Sequence, residues 1–305
     1  MNGILVPKGF PGLPDDWEVS SHCFATRDRS QELFFLKWSK KSPSSPKKIL
    51  IILHGLSEHC GRYSHFPHYL QDAVDVIYCF DYRGHGRSSG IRGYVECFSD
   101  YVKDAKEFIF QTETSEGKDS EIHLLGHSMG GLVALRLLQE EAPLGLASVT
   151  LSAPLLEIKA KVPFVKHFAG LVLSTIWGSF QMPTDLDPAL VSRDPEVVVV
   201  YKTDRLISHR ITPKLYFGTL DALDEVWESD RELPYRIKFF IPDHDQIVDH
   251  EATLEFFDEL RATKKEKTVL KGFYHEPFND LGKEAVFGEL KEWIRKNHLK
   301  KTDKD

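Results

Sequence analysis

Cysteine is scarce, with four in 305 residues (Cys23, Cys60, Cys79 and Cys97), and none forms a close C-x-x-C pair. Free thiols in a reducing compartment fit this pattern better than a disulfide scaffold. Long apolar runs are also missing. The nearest to a membrane span, residues 164–180, is interrupted by Lys166 and His167 near its start and is followed by Gln181, so no bilayer crossing is expected. The opening stretch, Met1 to Phe10, has no basic region followed by an apolar core. No signal peptide is expected, and the expected location is cytoplasmic. Excess positive charge is absent: 39 Lys and Arg stand against 46 Asp and Glu, giving a net charge of −7. The basic residues are scattered rather than striped, which argues against a nucleic-acid partner. The tail from His298 to Asp305 mixes Lys300, Lys301 and Lys304 with Asp303 and Asp305, and fraying is expected there. There is no internal repeat, no low-complexity tract and no His/Cys/Asp cluster at metal-ligand spacing, so neither a metal nor a cofactor is expected.

What is present is a large globular core, with 41% of residues hydrophobic. Two runs rich in β-formers, Glu18–Phe24 and Glu32–Trp38, flank Arg27-Asp28-Arg29-Ser30 and read as a hairpin of antiparallel strands. A polar loop, Ser42-Pro43-Ser44-Ser45-Pro46, follows. Apolar runs at Ile49–Leu53, Val76–Phe80, Ile122–Leu125 and Ala147–Ser152 then read as parallel strands buried on both faces. Helical patterns at about 63–73, 99–115 and 130–141 lie between them. The alternation breaks after Ser152-Ala153-Pro154. It resumes with strand Arg236–Ile241, a helix at about 249–262, strand Lys267–Lys271 and a last helix at about 282–297. This predicts an α/β core in two parts, 1–154 and 231–305, interrupted by a mainly helical insertion at 155–230.

The strand ending at Leu125 runs into Gly126-His127-Ser128-Met129-Gly130-Gly131 and then into the helical Leu132-Val133-Ala134-Leu135-Arg136-Leu137-Leu138. Strand, tight turn with a central serine and helix make up a nucleophile elbow. The chain nearly collides with itself there, so glycine fits best two positions either side of Ser128. A second G-x-S-x-G, Gly86-Arg87-Ser88-Ser89-Gly90, fails the context test. It lies beyond the loop Asp81-Tyr82-Arg83-Gly84-His85, and no apolar helix follows it. Ser128 is therefore the candidate nucleophile, the plain alternative being a Gly-rich helix start used for packing.

A serine needs a base, and the base needs an acid to fix its tautomer. On this architecture the order is Ser, acid, His, from loops at the carboxyl ends of strands. After Lys271 comes Gly272-Phe273-Tyr274-His275-Glu276-Pro277, and His275 is the histidine of that loop. After Ile241 comes Pro242-Asp243-His244-Asp245-Gln246-Ile247-Val248-Asp249. Asp245, at the turn's exit, is the favoured acid, with Asp243 second; Asp249 suits the head of the next helix. An oxyanion hole needs two backbone N–H groups. Met129, after the serine, is one candidate. Leu56, in His54-Gly55-Leu56-Ser57-Glu58-His59 after the first parallel strand, is the other. His54 and His59 are read as shaping that loop rather than as metal ligands.

The segment His54-Gly55-Leu56-Ser57-Glu58-His59-Cys60-Gly61-Arg62-Tyr63 resembles the HGxxEHxxRY loop of the monoacylglycerol lipase and lysophospholipase-like branch of α/β-hydrolases. Residues 81–90 resemble that branch's D-x-R-G-H-G-x-S-x-G loop, which is structural, and the elbow GHSMGG and the position of Asp245 also match it. The resemblance covers about residues 20–155 and 230–297 and is weak in the insertion. It implies the α/β-hydrolase fold: a mostly parallel eight-stranded sheet flanked by helices, with the insertion as a cap that selects substrate. It also implies a headgroup role for Arg62, against which stands an ion pair with Glu58 or another acid. The apolar run 162–177 either packs on the core or lines an acyl tunnel and touches a membrane surface.

The expected activity is hydrolysis of a fatty acyl carboxylic ester, a monoacylglycerol or a lysophospholipid, through an acyl-enzyme and without a cofactor. A carboxylesterase or thioesterase is the alternative, and a non-catalytic ligand-binding protein on the same scaffold is a third reading. A proline iminopeptidase would need acidic residues in the insertion to hold a free amine. Glu157 and Asp185 are there, without a recognisable pattern.

Overall fold

The computed structural model describes residues 6–140, 144–159, 164–184 and 186–297, with the backbone alone at 164–169. Strands β1 (Trp17–Ala25) and β2 (Glu32–Lys40) form the expected hairpin, with Trp17 opposite Lys40 and Ala25 opposite Glu32. Next come β3 (Lys48–Leu53), β4 (Val76–Phe80), β5 (Glu121–His127), β6 (Leu146–Ser152), β7 (Leu233–Pro242) and β8 (Ala262–Leu270). They complete an eight-stranded sheet in the order β1-β2-β4-β3-β5-β6-β7-β8. The β1–β2 and β2–β4 pairs are antiparallel and every later pair is parallel.

The central strands are apolar on both faces because helices cover both. Along β3, Ile49, Ile51 and Leu53 point into one apolar cluster and Leu50 and Ile52 into another, as the two-residue period of a strand requires. Helix α1 (Phe66–Leu70) and a helix near the chain's end (Lys283–Lys296) cover the second face with Phe66, Leu70, Phe287 and Leu290. The first face takes Tyr101 and Phe108 of α2 (Ser99–Glu116), and Leu132 and Leu135 of α3 (Met129–Leu138).

Between β6 and β7 the described chain carries α4 (Phe164–Ile176), α5 (Pro195–Thr203), α6 (Pro213–Trp227) and a two-residue ribbon pairing Met182–Pro183 with Arg210–Ile211. Asp194 and Thr212 cap α5 and α6 by accepting from backbone N–H groups, and a proline stands in the first turn of each. Leu215, Leu223 and Val226 of α6 join the first apolar cluster, so this segment re-enters the core before the chain returns to the sheet. After β7 comes α7 (His250–Glu259), capped by Asp249; the Lys283–Lys296 helix is α8. Val162, Pro163, Asp185 and the tail from His298, all weighed above, lie outside the described residues. Among the described residues no helix is long and apolar enough to cross a membrane.

Two elements differ from the sequence expectation. The helix expected at about 63–73 is split into a 3₁₀ turn at Cys60–Tyr63 and the short α1, with Pro67 in its first turn. Strand β8 starts at Ala262 rather than Lys267. Among the described residues it is an edge strand paired with β7 alone, and its polar start hides the strand from a hydrophobic pattern.

Candidate active site

Strand β5 ends at His127 and α3 begins at Met129, leaving Ser128 in the turn at φ 52°, ψ −119°. A non-glycine residue there is strained and must be held. The hold is visible: the Ser128 carbonyl accepts from the N–H groups of Gly131 (2.8 Å), Leu132 (3.2 Å) and Leu155 (3.0 Å), and its own N–H donates to Ser152 (3.0 Å). The flanking glycines follow from steric contact. A Cβ at Gly126 would lie 2.5 Å from the Gly130 carbonyl oxygen, and one at Gly130 would lie 2.1 Å from that of Leu53.

Three loops at the carboxyl ends of β5, β7 and β8 bring Ser128, Asp245 and His275 together. His275 Nε2 is 2.9 Å from Ser128 Oγ, and His275 Nδ1 is 2.7 Å from Asp245 Oδ2. All three are buried, at 7%, 1% and 5% exposure for Ser128, Asp245 and His275. Asp245 Oδ1 accepts from the N–H groups of Ile247 (2.8 Å) and Val248 (3.1 Å), which fixes the carboxylate. Burial would lower the pKa of His275, but the Asp245 carboxylate outweighs it and the imidazole sits above its ordinary value. For Asp245 burial acts upward, and His275 with the two N–H donors brings the carboxyl below its ordinary value. A carboxylate at Nδ1 places the ring proton there and leaves the Nε2 lone pair facing the serine hydroxyl. Asp243 faces elsewhere: it accepts from Gly272 N–H (2.6 Å) and pairs with His244 (2.8 Å).

The loop after β3 approaches from the other side; a Cβ on Gly55 would be 3.2 Å from Ser128 Cβ. The N–H groups of Leu56 and Met129 donate to no other described residue, which leaves two donors beside the serine. Ser57 holds the loop's bend at φ 69°. His54 Nδ1 meets the Gly55 carbonyl (2.8 Å) and its Nε2 accepts from Tyr82 N–H (3.2 Å), a loop-shaping role. His59 Nε2 reaches Asp204 (2.9 Å) on the segment between β6 and β7.

Arg62 lies within this loop's base, with its fork engaged by carboxylates. It donates to Glu58 (2.8 Å) and, through both terminal nitrogens, to Glu276 (2.6 and 2.7 Å), while its guanidinium stands 4.9 Å from the Tyr201 ring centre. Glu58 also accepts from Gly55 N–H (2.5 Å) and Tyr63 OH (3.0 Å), and Asn279 donates to Glu276 (3.0 Å). Burial acts to raise the Glu58 carboxyl, but Arg62 and the neighbouring His127 and His54 bring it down to about 2. Sequence reasoning missed Glu276, Asp204 and Tyr201. Glu276 had one available signal, its place next to His275; Asp204 and Tyr201 had none.

Ser88 has a different setting. Its hydroxyl donates to the Asp81 carbonyl and accepts from Phe34 N–H (2.9 Å), and it is buried in the turn that follows β4.

A mostly parallel eight-stranded sheet, with a strained serine turn and a Ser–His–Asp chain at the carboxyl ends of its strands, defines an α/β-hydrolase. Residues 44–282 match the family described as serine aminopeptidase, S33, and the chain belongs to that family, on its monoacylglycerol lipase-like side. The chain is similar to the monoglyceride lipase of Mus musculus, at 28% identity over 270 residues, with 87% of each chain covered. It is similar to an abhydrolase domain-containing protein of Dictyostelium discoideum, at 29% identity over 260 residues, which cover 85% of this chain and 27% of that protein. The crystal structure of Paleococcus ferrophilus monoacylglycerol lipase matches with a TM-score of 0.75 at 27% identity, over 92% of this chain and 100% of that one. The chain spans half or less of the length of some curated relatives that it matches.

Proposed function

We propose that the protein hydrolyses carboxylic esters of fatty acyl chains, with a monoacylglycerol or lysophospholipid as substrate. The observation that carries the reading is the continuous Ser128–His275–Asp245 chain at 2.9 and 2.7 Å, ending on a serine held at φ 52°. In this reading His275 Nε2 takes the Ser128 proton as Oγ attacks the ester carbonyl. The N–H groups of Leu56 and Met129 receive the negative charge that develops on the carbonyl oxygen. His275 then protonates the departing alcohol and leaves an acyl-serine. It next deprotonates a water that attacks the acyl carbon, and the fatty acid departs as Ser128 recovers its proton. Asp245 stabilises the imidazolium formed in each half.

The carboxylates beside this site favour an ester over an aminoacyl substrate. Glu58 and Glu276 share Arg62, so neither is free to hold a substrate ammonium. The same pairing favours a structural over a headgroup role for Arg62. Residues 155–230 are proposed to act as a cap over the serine. Leu171, Val172, Ile176 and Trp177 are exposed at the end of α4 and just beyond, which supports transient contact with a lipid surface. Release of free acid across monoacylglycerols, lysophospholipids, thioesters and p-nitrophenyl esters of graded chain length tests the substrate class. Leu173→Asp on α4 should depress turnover of long-chain esters far more than that of a butyrate, because each lost methylene contact costs up to about 0.8 kcal/mol. Equal losses at both lengths with an unchanged melting temperature would remove the cap from substrate selection.

A further inference from the structure

A cavity of ≈ 430 Å³ lies between the loop after β4 and the β6–β7 segment, lined by Gly86, Arg92, Pro183 and residues 205–210. Three of its described lining residues are arginines (Arg92, Arg205 and Arg210), with His209 and Ser208 beside them, and no described lining residue carries a carboxylate. That is a marked departure in a chain whose acidic residues outnumber its basic ones, 46 to 39. The guanidinium groups of Arg205 and Arg210 have no hydrogen-bond or ion-pair partner among the described residues, and both side chains are exposed. Arg92 is half-buried and donates to the carbonyls of Gly86 (2.9 Å) and Ser88, which orients it without neutralising it. Asp81 lies behind Gly86, where its two oxygens accept from the N–H groups of Cys60 and Arg87 (2.7 Å each), and its charge acts on Arg92, the half-buried one of the three arginines.

The cavity wall is fixed to the candidate active site. Ser208 N–H donates to the Ser57 carbonyl (2.9 Å), and Asp204 pairs with His59 (2.9 Å), both at the oxyanion loop. Arg92 comes from the loop after β4, whereas Arg205 and Arg210 come from the segment between β6 and β7. Planar donors supplied by two segments to one cavity, with a hydroxyl and an imidazole among its lining residues, suit an anion with several acceptor oxygens. The volume exceeds what a single oxyanion fills and leaves space for an attached polar group.

We propose that this cavity binds a phosphate group, supplied either as the free anion or on a small phosphorylated headgroup, and that the bound group bridges the β6–β7 segment and the loop after β4. The test is titration calorimetry on the full chain with sodium phosphate, glycerol 3-phosphate and sodium chloride at matched ionic strength. Saturable binding of phosphate but not chloride is expected. Arg205→Ala and Arg210→Ala should each weaken it roughly tenfold, whereas Arg136→Ala, outside the cavity, should leave it unchanged. If an alanine variant fails to fold, Arg205→Gln and Arg210→Gln keep the stem and remove the charge, and the same loss is expected. Tighter binding of glycerol 3-phosphate than of phosphate identifies a headgroup, and equal binding identifies the free anion. No saturable phosphate binding, equal heats with chloride, or unchanged affinity in both arginine variants would overturn the proposal. The readout is binding, so it is independent of whether Ser128 is a nucleophile.

Discussion

Replacing Arg62 with methionine removes the guanidinium that two buried carboxylates share. Glu58 keeps its bonds from Gly55 N–H and Tyr63 OH and its neighbours His127 and His54, and Glu276 keeps Asn279, but both lose the guanidinium. Leaving a buried charge unpaired costs about 3–5 kcal/mol. The depression of the Glu58 carboxyl from 4.5 to about 2, to which Arg62 is the largest lowering contributor beside His127, His54 and Gly55 N–H, is of the same order, about 3 kcal/mol for all of them together. In the native protein this stability is fully present above the unfolded value of 4.5 and is lost as the pH falls towards about 2. Between pH 8 and 5 the Glu58 term is therefore constant. In Arg62→Met the buried carboxyls should titrate above their ordinary values. The folded variant then takes up protons that the unfolded chain does not, and its deficit shrinks as the pH falls. Urea unfolding of both proteins at steps from pH 8 to 5 measures this, using the midpoint and slope at each pH. The expected gap is at least about 3 kcal/mol at pH 8, narrowing towards pH 5. A gap below about 1 kcal/mol throughout, or one independent of pH, would refute the buried-triad reasoning. A variant of native stability with only a raised KM for monoacylglycerol would instead return Arg62 to headgroup binding.

Further outcomes follow from the same geometry. Ser88→Ala should lose about 1–3 kcal/mol of stability, because Phe34 N–H and the Asp81 carbonyl lose a buried partner, yet esterase activity per folded molecule should survive; a folded but inactive Ser88→Ala would move the nucleophile. The acid limb of kcat/KM should lie above pH 6.5, since neutral His275 is the working form and Asp245 raises its pKa. Asp245→Asn should shift that limb down and lower the rate roughly 10³- to 10⁴-fold, whereas Asp243→Asn should do neither; the reverse ranking in a pH–rate series would reassign the acid. Gly130→Ala should disrupt the elbow because its Cβ would sit 2.1 Å from a backbone oxygen. Gly288→Ala, which meets nothing within 4 Å inside α8, should raise stability by up to about 1 kcal/mol in thermal unfolding.

Much of the candidate site was legible because its parts are encoded locally. Gly126 and Gly130 announce a crossing too tight for a Cβ, and Ser128 stands between them. Asp245 follows the apolar end of β7 and His275 follows the short end of β8 that was legible, which places them at the same end of the sheet. What remained hidden depends on distant partners. Arg62 meets Glu276 across 214 positions, and His59 meets Asp204 across 145; no local pattern links either pair. The polar start of β8 was missed for a different reason: an edge strand satisfies its backbone through one neighbour and does not need an apolar sequence.

The central claim is that Ser128 is made nucleophilic by His275 and Asp245. Incubation with a fluorophosphonate probe, followed by mass spectrometry of the digested protein, tests it directly. The account predicts one adduct, on the peptide carrying Ser128, that is absent in Ser128→Ala and slowed by several orders of magnitude in His275→Ala. A folded protein that is not labelled, or an adduct on Ser88, would contradict it.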